Sequence, residues 1–483
     1  MFQPSIPNFD RVFGDKGNRI SIIGTGHLGG KAQGLVMIND VLTAQQKEDD
    51  FPEIDVNIPN MVVIGTDIFD SFMQQNKLFD IAYSDLPDDD IVHSFQKADL
   101  PFEILGDLRA LISQAHKPLA IRSSGLLEDA THEPFAGIYA TKMIPNNQSD
   151  IDTRFRKLVE AIKFVYASTF FQNAKDYLKM TNHRLGDEKM AVIIQEVVGK
   201  RHYSRFYPEL SGVARSYNYY PVGSATHEDG VVNLALGLGK SVVDGGASWA
   251  YSPAYPKVPP PFGSMEELLD HSQTEFWSIN TGEPPAYDPT NETEFMLLEN
   301  LTTAELDNTL ERIVSTYDHQ SGRLTIGTGK KGPRALTFAP LLVLDVLPLN
   351  RLVKKLLKVC ETELNASVEI EFAMTFDPHW FGFLQVRHMV VSSEVIEISI
   401  EEQSRERVLA ASGSVLGNGI NNDIRDIVYV IPEGQNLQRA ASIVPELARI
   451  NAKLMNKSLP YLLIVFGRLG SSDQTSGIPV IWR

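Results

Sequence analysis

Three short stretches hold the residue types that phosphate chemistry needs. The first is "LGGKAQGL", Leu28 to Leu35, where two glycines precede Lys31 at the start of a helical pattern. Paired glycines let a backbone approach an anion, lysine supplies a point charge, and a helix start offers free N–H groups at its positive end. The second is "IRSSGLLEDATHEPFAG", in which Arg122 precedes two serines and the acids Glu128 and Asp129. A guanidinium beside hydroxyls grips phosphate in a fork geometry; the bland alternative is a salt bridge from Arg122 to Glu128 or Asp129. The third is "SVEIEFAMTF" followed by "FGFLQVRHM". Side chains alternate along a strand, so Glu369 and Glu371 share a face, as do Gln385 and Arg387. A hairpin through "DPHW" would gather two carboxylates, an amide oxygen and a guanidinium. That set suits a Mg²⁺–triphosphate, since Mg²⁺ takes oxygen ligands and keeps phosphates and water in its shell. Its alternative is a plain antiparallel pair with a cross-strand Glu–Arg contact.

Two other readings of the glycine stretch fit less well. Gly24, Gly26 and Gly29 satisfy G-x-G-x-x-G, but the region where a dinucleotide fold needs an acid at a second strand end is the loop "AQQKEDD". A Walker A loop would need glycine where Thr25 stands and a hydroxyl where Ala32 stands. His27 reads as incidental and His132 as a surface loop residue.

The elements that must carry these residues alternate between strand and helix. Ile20 to Ile23 reads as a strand, about Ala32 to Gln45 as a helix, "MVVIGT" as a buried strand and Leu119 to Arg122 as a strand closed by the arginine. "DIDTRFRKLVEAIKFVYASTFFQNAKDYLKM" reads as one long amphipathic helix and "KMAVIIQEVVG" as a central strand. "SGVARSYNYYP" and "DGVVNLALGLG" read as sheet strands, and the chain turns helical after Pro348. From about Val391 a further α/β unit is expected, with a helix near Leu437 to Asn456 and a strand at "YLLIVFG". The last residues, "GIPVIWR", read as a strand cut short, so a longer natural protein is expected.

The 483 residues exceed one ordinary core, and a net charge of −17 disfavours nonspecific binding to nucleic acid or anionic membranes. One cysteine, Cys360, excludes a disulfide framework and a Cys-rich metal site, and no apolar run is long enough to span a bilayer. The first residues lack a secretory pattern, so a cytoplasmic protein is expected.

Taken in order, "LGGKAQGL", "IRSSGLLEDATHEPFAG", "AVIIQEVVG", "SGVARSYNYYP", "LALGLGKSVVDGG" and "VEIEFAM…FGFLQVRHM" resemble the nucleotide-binding domain of the phosphoenolpyruvate synthase and pyruvate, phosphate dikinase family. The resemblance covers roughly Gly24 to Met389. It implies an α/β (α+β) fold of the ATP-grasp kind, two lobes closing on ATP: residues 1–190, residues 191–390, and a C-terminal α/β unit at 391–483. It implies that Lys31 and Arg122 contact phosphate and that the backbone of Gln195, Glu196 and Val198 meets adenine. Gly237 and Gly239 would form a glycine-rich turn near the nucleotide. Glu371, with Glu369 and Gln385, would hold Mg²⁺, and Arg387 would act beside Arg122 in catalysis. Glu369 stands where the family has Asp, and leucines replace small residues before Glu128.

The family's reaction passes a phosphoryl group from ATP to a histidine on a swivelling domain, which then visits a barrel domain. Neither a carrier-histidine loop nor room for a barrel of about 250 residues follows Met389. The expected partner is therefore a phosphohistidine-type domain on another chain or in a missing C-terminal region. A regulatory module that binds nucleotide without turnover, and an ATP-grasp ligase, are the alternatives.

Overall fold

A computed structural model describes residues 6–14, 19–45, 50–128, 137–180, 185–262 and 264–389, and, further on, 408–409, 421–431, 440–455, 457, 460–465, 468–469, 477–478 and 480. Asp129, His132 and the expected strand after Val391 lie outside these residues. The chain divides into two compact units, Met1–Val391 and Ser392–Arg483.

The first unit is built on two large sheets. The first sheet has the strand order Ile20–Ile23, Met61–Ile64, Met190–Glu196, Leu119–Gly125, Thr141–Ile144. Only its first pair is parallel. Its central strands are apolar along their length because both faces are covered. Val62 and Ile64 point into a core with the helices Thr66–Gln75 and Ile151–Ser168. Met61 and Val63 point the other way, into a second core shared with the helix Gly29–Gln45. The second sheet runs Trp249–Tyr251, Val231–Ala235, Leu210–Arg215, Val368–Phe376, His379–His388, Asp55–Asn57. The helix Leu349–Leu364 lays Leu352, Val353, Leu356 and Cys360 into the same core as Ile370 and Phe372 of that sheet.

Several expectations shift. The helix starts at Gly29, three residues early, so Gly29, Gly30 and Lys31 form its first turn. Arg122 does not close its strand, which runs on through Ser123 and Ser124 to Gly125 in register with Met190–Glu196. The long helix is two, Ile151–Ser168 and Gln172–Met180. Phe170 turns inward onto Phe69 and Phe95, and the Gln172 amide donates to the Asp88 carboxylate at 2.8 Å, starting a new helix. A lobe boundary at 190/191 meets the central strand of the first sheet, Met190–Glu196, while Asp55–Asn57 pairs into the second sheet. Sequence-contiguous lobes and sheets therefore differ by two exchanged strands.

The second unit contains a parallel pair, Asp426–Tyr429 with Tyr461–Ile464, and a helix, Ala440–Met455. A further parallel pair joins Arg468–Leu469 to Gly477–Ile478. Leu447 and Ile478 are its buried apolar residues among those described.

Candidate functional site

A cleft of about 750 Å³ within the first unit is lined by residues of both sheets. One end is apolar, where Ala120, Met143, Val197, Leu238 and Met296 pack together. The lining also holds the cations Lys31, Arg122, Arg215, Lys240 and Arg387. Of the residues expected to act, all but Gly237 line it.

Lys31 is fixed by backbone packing before any charge is considered. Gly29 has φ +70°, and a Cβ there would lie 1.8 Å from the Ser124 carbonyl oxygen, so only glycine lets the helix start rest on the strand. The Ser124 hydroxyl then donates to the Leu28 carbonyl at 2.8 Å and accepts from the Ala32 amide at 3.1 Å. Lys31 Nζ donates to Ser123 Oγ at 3.1 Å and forms an ion pair with Glu128. Glu128 is 2% exposed and also accepts from the Gly125 amide at 3.0 Å. Glu128 thus belongs to Lys31, not to Arg122.

Arg122 reaches from the first sheet to the second. Its Nη1 donates to the Leu384 carbonyl at 2.8 Å, and its Nη2 donates to Gln385 Oε1 at 2.7 Å. Glu371 Oε2 lies 3.4 Å from the same Nη2. The hairpin predicted from sequence sets this register: Glu371 pairs with Gln385 and Glu369 with Arg387, around a turn at Asp377–Pro378. The strand on the other side pairs Glu369 with Arg215, a residue sequence reasoning passed over. Its signal was a charged residue inside the apolar run "SGVAR". Glu369 gives one carboxylate oxygen to Arg215 and the other to Arg387, the latter at 2.7 Å from Nε.

Glu371 and Gln385 stand side by side across the hairpin, with Gln385 Oε1 on the Arg122 guanidinium. Among the described residues no three His, Cys, Asp or Glu side chains form a closed metal cage. A Mg²⁺ site does not need one, because phosphates and water complete its shell.

At the apolar end, the Glu196 amide donates to the Asn60 carbonyl at 3.0 Å and the Val197 amide to the Pro118 carbonyl at 2.9 Å. Asn60 Nδ2 also donates to the Glu196 carboxylate at 3.0 Å. Gln195, 2% exposed, sits beneath Arg122 with its Oε1 3.4 Å from Nη1. Gly237 has φ +83° and accepts from the Ser211 hydroxyl at 2.5 Å; a Cβ on it would come 2.6 Å from the Trp277 carbonyl. It shapes the turn that brings Leu238, Gly239 and Lys240 to the cleft.

The apparent dinucleotide fingerprint has another occupant. The amides of Thr25 and Gly26 donate to the Asp67 carboxylate at 2.9 and 2.8 Å. This loop already binds an anion, and that anion is a side chain. His27 is exposed and does not line the cleft.

Behind the Lys31 wall, Glu188 accepts from the Leu126 amide and from the Tyr139 hydroxyl, each at 2.7 Å. Burial pushes its carboxyl up to about 7.

Among known families, residues 25–408 match the pyruvate phosphate dikinase, AMP/ATP-binding domain. The chain is also 26% identical over 201 residues to the uncharacterized phosphotransferase YvkC of Bacillus subtilis (strain 168). That match covers 39% of this chain and 20% of the relative, so the chain spans a fifth of that protein's length.

Proposed function

This chain belongs to the family of the pyruvate phosphate dikinase AMP/ATP-binding domain, and on that premise we propose that its cleft binds Mg·ATP and passes a phosphoryl group to a histidine outside this chain. The observation that carries the reading is that Arg122, Glu371 and Gln385 meet from two sheets in a cleft lined also by Lys31 of the helix Gly29–Gln45 and by an apolar cluster. A nucleotide has the same polarity: a flat base at one end, a polyanion at the other.

The roles follow from position. The apolar end takes the base, against Val197, Val198 and Leu238. Lys31 and Arg122 hold phosphate oxygens, Lys31 as a point charge and Arg122 as a planar fork. Glu371 and Gln385 would hold Mg²⁺, which supplies charge neutralisation along the phosphates. Arg122 and Arg387 act as the catalytic cations. The reaction then rests on positioning and charge, as phosphoryl transfer does in general. In the transfer, an imidazole nitrogen of the acceptor forms the N–P bond to the β-phosphorus while the P–O bond to AMP breaks. AMP leaves with that electron pair, and the β- and γ-groups move together as a pyrophosphoryl group. Water then cleaves the β–γ anhydride, releasing the γ-group as inorganic phosphate and leaving one phosphoryl group on the histidine. No helix among the described residues is long and apolar enough to cross a membrane; a cytoplasmic setting is part of the proposal.

Two measurements test the reading. Mg·ATP should raise the melting temperature, by the equivalent of roughly 2.7 kcal/mol at a hundredfold excess over Kd. No rise would end the proposal. ATP labelled at the β-phosphate, incubated with and without a histidine-domain protein, should yield AMP and a labelled histidine. ATP binding without release of AMP or ADP would favour the regulatory module instead, and labelled ADP released in the presence of a small carboxylate would favour the ligase.

A further inference from the structure

We infer, resting on the Mg·ATP reading above, that Arg215 and Arg387 form an anion-binding fork for the terminal phosphate of a nucleoside triphosphate, and that Glu369 is a positioning residue for this fork and not a metal ligand.

The second sheet forms the cleft floor as three rungs, two residues apart on Leu210–Arg215 and Val368–Phe376, while a bulge on His379–His388 makes the step from Gly382 to Gln385 three residues. The first joins Ser211, Ala373 and Gly382. It lies at the apolar end: a Cβ on Gly382 would meet Val198 Cγ2 at 2.3 Å, and Ser211 donates to Gly237. The second rung joins Val213, Glu371 and Gln385, the metal donors. The third joins Arg215, Glu369 and Arg387. Two residues of strand advance about 6.8 Å, so the arginine rung lies one step past the metal donors, away from the base. A nucleotide with its base at the first rung brings only its last phosphate to the third.

The side chains of that rung fit an anion and do not fit a cation. Two guanidiniums flank one carboxylate, which leaves the rung net positive. The Glu369 side chain is 6% exposed, whereas those of Arg215 and Arg387 are 33% and 26% exposed. The carboxylate therefore lies beneath and the guanidiniums open to the cleft. Each Glu369 oxygen accepts from an arginine. Asn233 Oδ1, 3.3 Å from Arg215 Nη1, steadies the same guanidinium. A metal here would meet two guanidiniums already on one carboxylate, whereas at the second rung a single guanidinium, that of Arg122, holds Gln385 Oε1 at 2.7 Å and stands 3.4 Å from Glu371 Oε2. Glu371 is the more open carboxylate, at 20%.

Calorimetric titration of the full chain with ATP and with AMP, at varied Mg²⁺, tests this. Arg215→Met should weaken ATP binding at least tenfold and leave AMP binding within twofold. Arg215→Lys, which retains the charge, should lose less. Glu369→Gln should leave the Mg²⁺ concentration for half-maximal ATP binding unchanged, whereas Glu371→Gln should raise it at least tenfold. Equal losses for ATP and AMP in Arg215→Met and Arg215→Lys, or no loss for either, would overturn the fork. A Glu369→Gln shift as large as that of Glu371→Gln would restore Glu369 as a metal ligand. If the unaltered chain binds neither nucleotide, the Mg·ATP reading itself fails, which these variant patterns distinguish from failure of the fork alone.

Discussion

Arg122 and Gln385 are separated by 263 positions in the chain and meet at 2.7 Å, the guanidinium of one sheet on the amide oxygen of the other. The same guanidinium takes the Leu384 carbonyl and faces Glu371. With Gln195 Oε1 at 3.4 Å from Nη1, one planar group with five donors serves four acceptors at once. Arg122→Ala should cost about 1–3 kcal/mol of stability, from partners left unpaired, and should abolish most of the melting-temperature rise with Mg·ATP. Arg122→Lys should recover charge but not the fork, and so regain only part of the rise. Differential scanning fluorimetry with and without Mg·ATP reads both. An unchanged ATP response in the alanine variant would remove Arg122 from the phosphate site.

Gly29, at the helix start before Lys31, and Gly239, in the cleft lining, separate folding from binding. A Cβ at Gly29 would overlap the Ser124 carbonyl at 1.8 Å in a left-handed backbone conformation. Gly29→Ala should therefore destabilise by more than about 3 kcal/mol, or prevent folding, since neither backbone can yield cheaply. Gly239 has φ −57° and no atom nearer than 4.0 Å to an added Cβ. Gly239→Ala should leave the urea midpoint nearly unchanged. Any loss of ATP affinity in that variant would then report contact with the ligand, not damage to the fold.

What was legible in the sequence was local. Alternation fixed which face Glu369, Glu371, Gln385 and Arg387 share, and the register follows because a short turn leaves a hairpin little choice. The unbroken apolar run "MAVIIQ" marked a strand covered on both faces. What escaped depends on meetings between distant segments. Nothing near Lys31 announces that Glu128 will neutralise it, nor near Gly26 that Asp67 will take its amide. Arg215 sat unmarked inside the expected strand "SGVARSYNYYP", and only the ladder shows that its neighbour is Glu369. The split after Ser168 is equally nonlocal, since the apolar spacing continues through Phe170 and only its packing on Phe69 and Phe95 ends the helix.

A buried charge ties the 288–296 segment to the first sheet. Lys142, on the strand Thr141–Ile144, is 2% exposed and donates to the carbonyls of Pro289 and Asn291 at 3.2 and 2.9 Å. Its ion pair with Glu294 is 2.9 Å, and Lys157 stands 3.5 Å from the other Glu294 oxygen. Burial lowers the pKa of Lys142 from its ordinary value, opposed by Glu294. Lys142→Met should cost about 3–5 kcal/mol, because Glu294 keeps a buried charge with less compensation. Adding Glu294→Leu should return much of that loss. Chemical denaturation of the single and double variants gives the coupling between them. Additive losses would mean the two residues stabilise the segment separately.

Glu188 gives the fold a pH dependence whose sign can be worked out. Its carboxyl is raised from 4.5 to about 7, first by burial, against the opposing pull of the Tyr139 and Leu126 hydrogen bonds. Below about pH 4.5 it is protonated both folded and unfolded and contributes nothing to pH dependence. Between 4.5 and 7 the folded state holds a proton that the unfolded state has released, so its contribution to stability declines as pH rises. Above 7 the penalty is constant, at most about 3 kcal/mol by linkage. Glu188→Gln cannot ionise and still offers an oxygen to the Leu126 amide. The variant should gain stability relative to the unaltered protein as pH moves from 5 to 7.5, while titrations common to both cancel. Urea unfolding at several pH values measures the difference. Parallel profiles would show that burial does not hold this proton. Because Glu188 anchors Leu126 and Tyr139, two residues beside the Lys31–Glu128 pair and the cleft wall, a confirmed gain at pH 7.5 would identify the ionised carboxylate as the strained element of that wall.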